Sequence, residues 1–148
     1  MSGTSNDSIA IRVKQIAEKY PQENILVMWS YLHRRRSKKG TELHYHKDND
    51  YIDDVKNFAE NFRTIDSIYP NIIHSVIPWA IVELKKWNGN AFKYFIKKFG
   101  GFTKKECDKI IAYEQLDWSR DFNHFDLRTS EQVTKMLIPK IKTLDQKH

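Results

Sequence analysis

From Tyr51 to Tyr69 the apolar residues Tyr51, Val55, Phe58, Phe62, Ile65 and Tyr69 recur at alternating steps of four and three, and Pro70 follows. That spacing draws one continuous apolar stripe down an α-helix. Asp50 stands where a cap belongs and Pro70 ends the helix. A helix of this kind has to bury its stripe against other elements, so the rest of the chain is expected to supply them. With 148 residues, the chain has the size of one ordinary domain, which buries about 70% of the surface its unfolded chain exposes.

Other segments carry similar spacings. Ile9, Val13, Ile16 and Tyr20 predict a helix over 8–20, capped by Asp7 or Ser8 and closed by Pro21. Ile25, Met28, Trp29 and Leu32 predict a second helix over 23–34. The segment 71–87 is apolar nearly all round, which suits a helix in the middle of a bundle. Pro78 is tolerable there only in a first turn, so Ser75 is its expected cap. Beyond Asn88-Gly89-Asn90, Phe92, Phe95, Ile96 and Phe99 mark a helix over 91–99, stopped by Gly100-Gly101. Thr103 and Glu106 form a capping box for the next one. A final helix starts at Thr129 or Ser130, with Val133, Met136, Leu137, Ile141 and Leu144 facing inward and Pro139 kinking it. The expected fold is therefore all-α, a compact bundle of about six to seven helices, with a short strand or hairpin near residues 41–46. Residues 1–7 are expected to be a flexible tail and 8–148 a single helical domain.

Charge narrows the partners. Formal net charge is +6 and the isoelectric point is near 9.3, which suits a polyanion, an acidic protein or an anionic surface. The single cysteine, Cys107, excludes an internal disulfide and a cysteine-based zinc site. The longest stretch without a formal charge runs from Ser67 to Val82, short of the roughly 20 apolar residues a spanning helix needs. Together with a polar N-terminus that lacks the apolar core of a secretory signal, this predicts a protein that is not secreted or membrane-bound but cytoplasmic, or nuclear in a eukaryote. No glycine-rich phosphate loop occurs, and no cofactor is expected.

Three constellations carry chemistry. The densest cationic run is Arg34, Arg35, Arg36, Lys38 and Lys39, next to His33 and ahead of Gly40. Arginine forks bind phosphate bidentately, and clustered cations release counterions on a nucleic-acid strand. Nearby Tyr31 and Tyr45 offer stacking platforms for unpaired bases. Next, Ala91 to Tyr113 resembles a helix-turn-helix: Gly101 takes the turn, and Ile96, Phe102, Cys107 and Ile110 fill the apolar positions. The resemblance implies that Lys104, Lys105 and Lys109 lie on an exposed second helix, with Lys93 and Lys97 beside it. Lys97 departs from the motif where the helices nearly touch, and so does Gly100, at a position that is usually apolar. An ordinary αα-corner with solvated lysines is the plainer alternative.

Third, His44, His46, Asp48 and Asp50 precede Asp53 and Asp54. These are ligand types that zinc, manganese or iron accept, although acidic residues also collect in first helical turns because the dipole favours them.

The expected function is a non-enzymatic nucleic-acid-binding accessory or regulatory protein that uses the basic loop and the helix-turn-helix-like segment. The competing expectation is a helical adaptor, inhibitor or structural subunit that meets an acidic protein partner. A metal-dependent phosphodiesterase or nuclease is a third class.

Overall fold

The computed structural model describes residues 5–37, 39–40, 42–43, 51–76, 89–113 and 127–145. In chain order these form α1 (Asn6–Lys19), β1 (Ile25–Trp29), β2 (Arg35–Arg36), β3 (Glu42–Leu43), α2 (Tyr51–Ile68), β4 (Ile72–Val76), α3 (Gly89–Gly100), α4 (Lys104–Asp108), β5 (Ile110–Ala112) and α5 (Leu127–Asp145). The fold is mixed α/β, not the all-α bundle the periodicities predict. Strands β1, β4 and β5 form a parallel sheet in that order, and β2 and β3 make a small antiparallel ladder. The ladder falls partly within the stretch expected to hold a strand or hairpin.

The helix predicted over 23–34 is replaced at Ile25–Trp29 by a strand, and the apolar segment predicted as helical from residue 71 opens with strand Ile72–Val76. The central strand β4 is buried along its whole length. A strand covered on both faces by its neighbours is a continuous apolar run, and so is a helix buried on all sides. In β1, Val27 and Trp29 point inward while Leu26 and Met28 stay 42% and 46% exposed. Its five apolar residues are too few for periodicity to separate a strand from a helix. Ile25 pairs with Ile72, Trp29 with Val76, and His74 with Ile110. The expected helix from Ser75 to Trp87 begins inside β4, and its remainder, 77–87, lies outside the described residues.

One face of the sheet carries the main core. Val27, Trp29, Ile72, Val76 and Ile110 pack there against Ala10 and Val13 of α1, Val55, Phe58, Phe62 and Ile65 of α2, and Phe92 and Ile96 of α3. The α2 stripe is thus placed as its spacing predicts. At the far end of α3, an added Cβ on Gly100 would lie 3.3 Å from both the Ala59 Cβ and the Val55 Cγ1. This is where α2 and α3 nearly touch. Gly101 follows with φ 66° and reverses the chain.

Helix α5 runs along the opposite side. Its Val133 and Leu137 pack with Tyr31 and Tyr113, just beyond the carboxyl ends of β1 and β5. Its last residue, Asp145, accepts a 2.9 Å hydrogen bond from Asn24, just ahead of β1. The inward stripe expected for α5 is only partly realised: Val133 is buried, whereas Met136 and Ile141 are 36% and 40% exposed.

The start of the chain also differs from expectation. Ser5, not Asp7 or Ser8, caps α1 by accepting from the Ser8 amide. Asn6 is fully buried. Its side chain accepts from the Ser30 amide at 2.8 Å and donates to the Tyr31 carbonyl at 3.2 Å, locking the turn after β1. Residues 5–7 are part of the folded body and not of a tail.

Candidate functional site

The arginine run leaves the carboxyl end of β1, and the structure uses most of it internally. Arg35 Nε meets Asp54 Oδ1 at 2.8 Å, with side chains 13% and 3% exposed. The Arg36 amide donates to Asp7 Oδ2 and its guanidinium to Ser8 Oγ. Asp7 in turn accepts from Asn57 and Asn61 of α2. Arg34 lies over the Tyr31 ring at 4.9 Å, and Tyr31 stacks on His33 at 5.6 Å. Together these contacts tie the loop to α1 and α2. Lys39 is exposed, and Lys38 lies outside the described residues.

The predicted second lysine group is assembled differently from a helix-turn-helix. Thr103 and Glu106 do form the capping box, but α4 spans only Lys104–Asp108 before the chain turns into β5. Such a helix is too short to lie in a groove as a recognition helix, so the resemblance fails at its second element. What remains is a cluster. On α3, Lys93, Tyr94, Lys97 and Lys98 share one side through i, i+3 and i+4 spacing, opposite the buried Phe92 and Ile96. Tyr94 is 57% exposed, with the Lys98 ammonium 5.6 Å from its ring centroid. Lys104 Nζ meets Asp108 Oδ2 at 2.8 Å. That hydrogen bond, with the charges of Lys104, Lys93 and Lys140 around it, holds the Asp108 carboxyl below its ordinary range against a small burial effect. Lys105 is exposed.

The two cationic groups do not merge. Arg34–Arg36 follow the carboxyl end of one edge strand, and Lys104–Lys109 precede the amino end of the other edge strand. They occupy diagonal corners of the sheet.

Lys109 belongs to an arrangement the periodicities do not disclose. His74, on the central strand, is fully buried. Trp29 Nε1 lies 3.0 Å from His74 Nδ1. An indole can only donate, so Nδ1 accepts and Nε2 carries the proton. His74 Nε2 stands 3.3 Å from Asp66 Oδ1, and Asp66 Oδ2 is 2.6 Å from Lys109 Nζ. Burial pushes the imidazole below its ordinary value despite the opposing pull of Asp66. The hydrogen bond from His74, followed by that from Lys109, lowers the Asp66 carboxyl against its burial. The chain Trp29–His74–Asp66–Lys109 therefore joins a neutral imidazole to a carboxylate and an ammonium. It ends at a cavity of about 390 Å³ lined, among the described residues, by Asp66, Lys109, Lys140 and Thr143 with Pro70, Ile72, Ile73 and Leu144. The one sequence signal for it is His74, a titratable residue in the long uncharged stretch.

This chain sets a pH dependence. His74 binds a proton less readily folded than unfolded, so stability falls as pH drops from the unfolded value of about 6.5 towards the lower folded one. The slope contributed by His74 is at most about 1.4 kcal/mol per pH unit. Asp66, whose folded value is also depressed, adds a further loss when the pH passes below the ordinary carboxylate range. In urea denaturation at pH 7 and pH 5, His74→Gln should show a flatter dependence than the parent. Parallel slopes in the two proteins would exclude His74 as the source.

The candidate metal ligands His44, His46, Asp48 and Asp50 lie outside the described residues. Among the described residues, no group of three or more His, Cys, Asp or Glu could hold a metal ion, and no helix is long and apolar enough to cross a membrane. No protein-family model matches the chain, no curated protein matches it, and no solved structure matches it.

Proposed function

We propose that the protein binds nucleic acid as a non-enzymatic accessory factor, through the lysine face of α3 and α4 and not through the arginine loop. The observation that carries this reading is the side-by-side placement of Lys93, Lys97 and Lys98 with the exposed Tyr94. Exposed lysines supply phosphate contacts, and a solvent-facing ring supplies a platform on which an unpaired base can stack. Lys104 and Lys105 extend the cationic surface from α4. The buried free thiol of Cys107 suits a reducing compartment, so the cytoplasm, or the nucleus of a eukaryote, is the proposed location.

Fluorescence anisotropy with labelled single- and double-stranded oligonucleotides across a salt series tests this. Lys97→Gln and Lys105→Gln should each weaken binding to all sequences and flatten the salt dependence by about one unit of slope. Tyr94→Ala should cost about 1–3 kcal/mol on a single strand and much less on a duplex. Affinity that is equal at low and high salt would reject the proposal.

One observation favours a second reading, an acidic protein partner. Among the described strands β5 stands at an edge of the sheet, beside Lys93 of α3 and Lys140 of α5, along a groove of about 400 Å³. An extended acidic segment could add to that edge by strand pairing. Retention of a partner after nuclease digestion would select this alternative.

A further inference from the structure

The cavity at the amino end of the sheet is separate from the α3 face and has the composition of a ligand site. Its lining joins apolar Ile72, Ile73 and Leu144 to charged Asp66, Lys109 and Lys140. Small-molecule sites combine such an apolar wall with a few convergent polar groups. The polar groups here are held in place. Asp66 is fixed through His74 to Trp29 in the core, and it holds Lys109 Nζ at 2.6 Å. Lys140 Nζ is oriented by the Asp108 carbonyl at 3.1 Å. An ammonium has three donors, and each lysine spends one on these partners. Each therefore keeps two N–H groups beyond these partners, and both lysines line the cavity.

Charge and size then select the ligand class. Two ammonium groups and one carboxylate sum to a single positive charge, which one monoanion neutralises and a dianion overfills. The volume is at the small end of the range for ligand sites, room for a body about the size of one ring or a branched chain. We infer that this cavity binds a small apolar monocarboxylate, with Lys109 and Lys140 holding the carboxylate and Ile72, Ile73 and Leu144 covering the apolar body. Asp66 and His74 act as positioning residues that keep Lys109 at the mouth.

The test uses the full chain and four probes, phenylacetate, acetate, phenylacetamide and phenyl phosphate, titrated by calorimetry while the Trp29 indole cross-peak is followed by ¹⁵N NMR. Phenylacetate should bind saturably and shift that cross-peak, because the indole N–H ends the hydrogen-bond chain. Acetate, lacking the apolar body, and phenylacetamide, lacking the charge, should each bind about tenfold more weakly or worse. Lys140→Gln should weaken phenylacetate about tenfold without moving the thermal midpoint. Lys109→Gln should do the same where the fold tolerates it.

Several results would overturn the inference. Acetate binding as tightly as phenylacetate would reduce the site to bare cations, of the kind a polyanion also meets. Phenylacetamide binding as tightly would reduce it to an apolar hole. Tighter binding of phenyl phosphate would refute the monoanion assignment. The inference also fails if no saturable binding occurs, if Lys140→Gln has no effect, or if heat is released with a still Trp29 signal. None of these outcomes bears on oligonucleotide binding by Tyr94 and Lys97.

Discussion

Phe58→Ala is expected to lower folding stability by about 3–5 kcal/mol. Phe58 is fully buried and is the ring around which the helical layer meets the sheet. It packs edge-on against Trp29 at 5.6 Å and Phe92 at 5.9 Å, and lies 6.3 Å from Phe62 and 6.1 Å from Phe102. Those partners come from β1, α3, α2 itself and the turn before α4. Truncation would remove ring contacts with four segments at once and leave a void that their rings cannot all close. For a chain of this length the loss should appear as a fall in thermal midpoint of roughly 10 °C or more. Phe58→Leu keeps much of the volume and should cost considerably less. A loss under about 1 kcal/mol for the alanine variant would contradict a well-packed core at this position.

Arg35→Ala is expected to cost about 3–5 kcal/mol, the usual result of removing one partner from a buried ion pair. The side chain of Asp54 is 3% exposed, and its 2.8 Å contact with Arg35 places a guanidinium against a carboxylate that little water reaches. Removing the arginine takes away that charge and leaves the carboxylate in place. Replacing both partners, as Arg35→Met with Asp54→Leu, should recover part of the loss, because the buried carboxylate is then removed together with its counter-charge. A double-mutant cycle in urea measures the coupling directly. The same variants also test the division of labour among the cations. If Arg35→Ala leaves stability intact but abolishes oligonucleotide binding, the arginine loop is the contact surface after all, and the α3 face is not.

The same pair shows that the most conspicuous cationic run in the chain also serves the fold. A run of three arginines has the appearance of a phosphate site. The acids that engage it, Asp7 and Asp54, come from helices on either side of it in sequence, and no local pattern announces their approach. Lys109 is exposed as the helix-turn-helix resemblance implies, yet Asp66, 43 residues earlier, holds its ammonium at 2.6 Å. Lys93, Lys97 and Lys105 keep the exposed or half-exposed positions expected of them.

Among the elements, local chemistry was sufficient where it acts over a single turn or a long period. The stripe of α2, the glycine stop after α3 and the capping box of α4 all depend on residues within a few positions of one another, and all are present as expected. Strand β4 could not be told from a buried helix, because burial on every side erases the periodicity that separates a 3.6-residue repeat from a 2-residue one. The parallel pairing of 25–29 with 72–76 and of 74–76 with 110–112 decided it, and those partners are far apart in the chain. The cavity has the same origin: Asp66 on α2, Lys109 between α4 and β5, and Lys140 on α5 are far apart in the chain and line one cavity only in the folded structure. Sequence alone therefore determined the apolar stripe of α2, the glycine stop after α3 and the capping box of α4. The tertiary structure decided which charges are spent inside the fold and which remain for a partner, because a charge is neutralised by what lies near it in space.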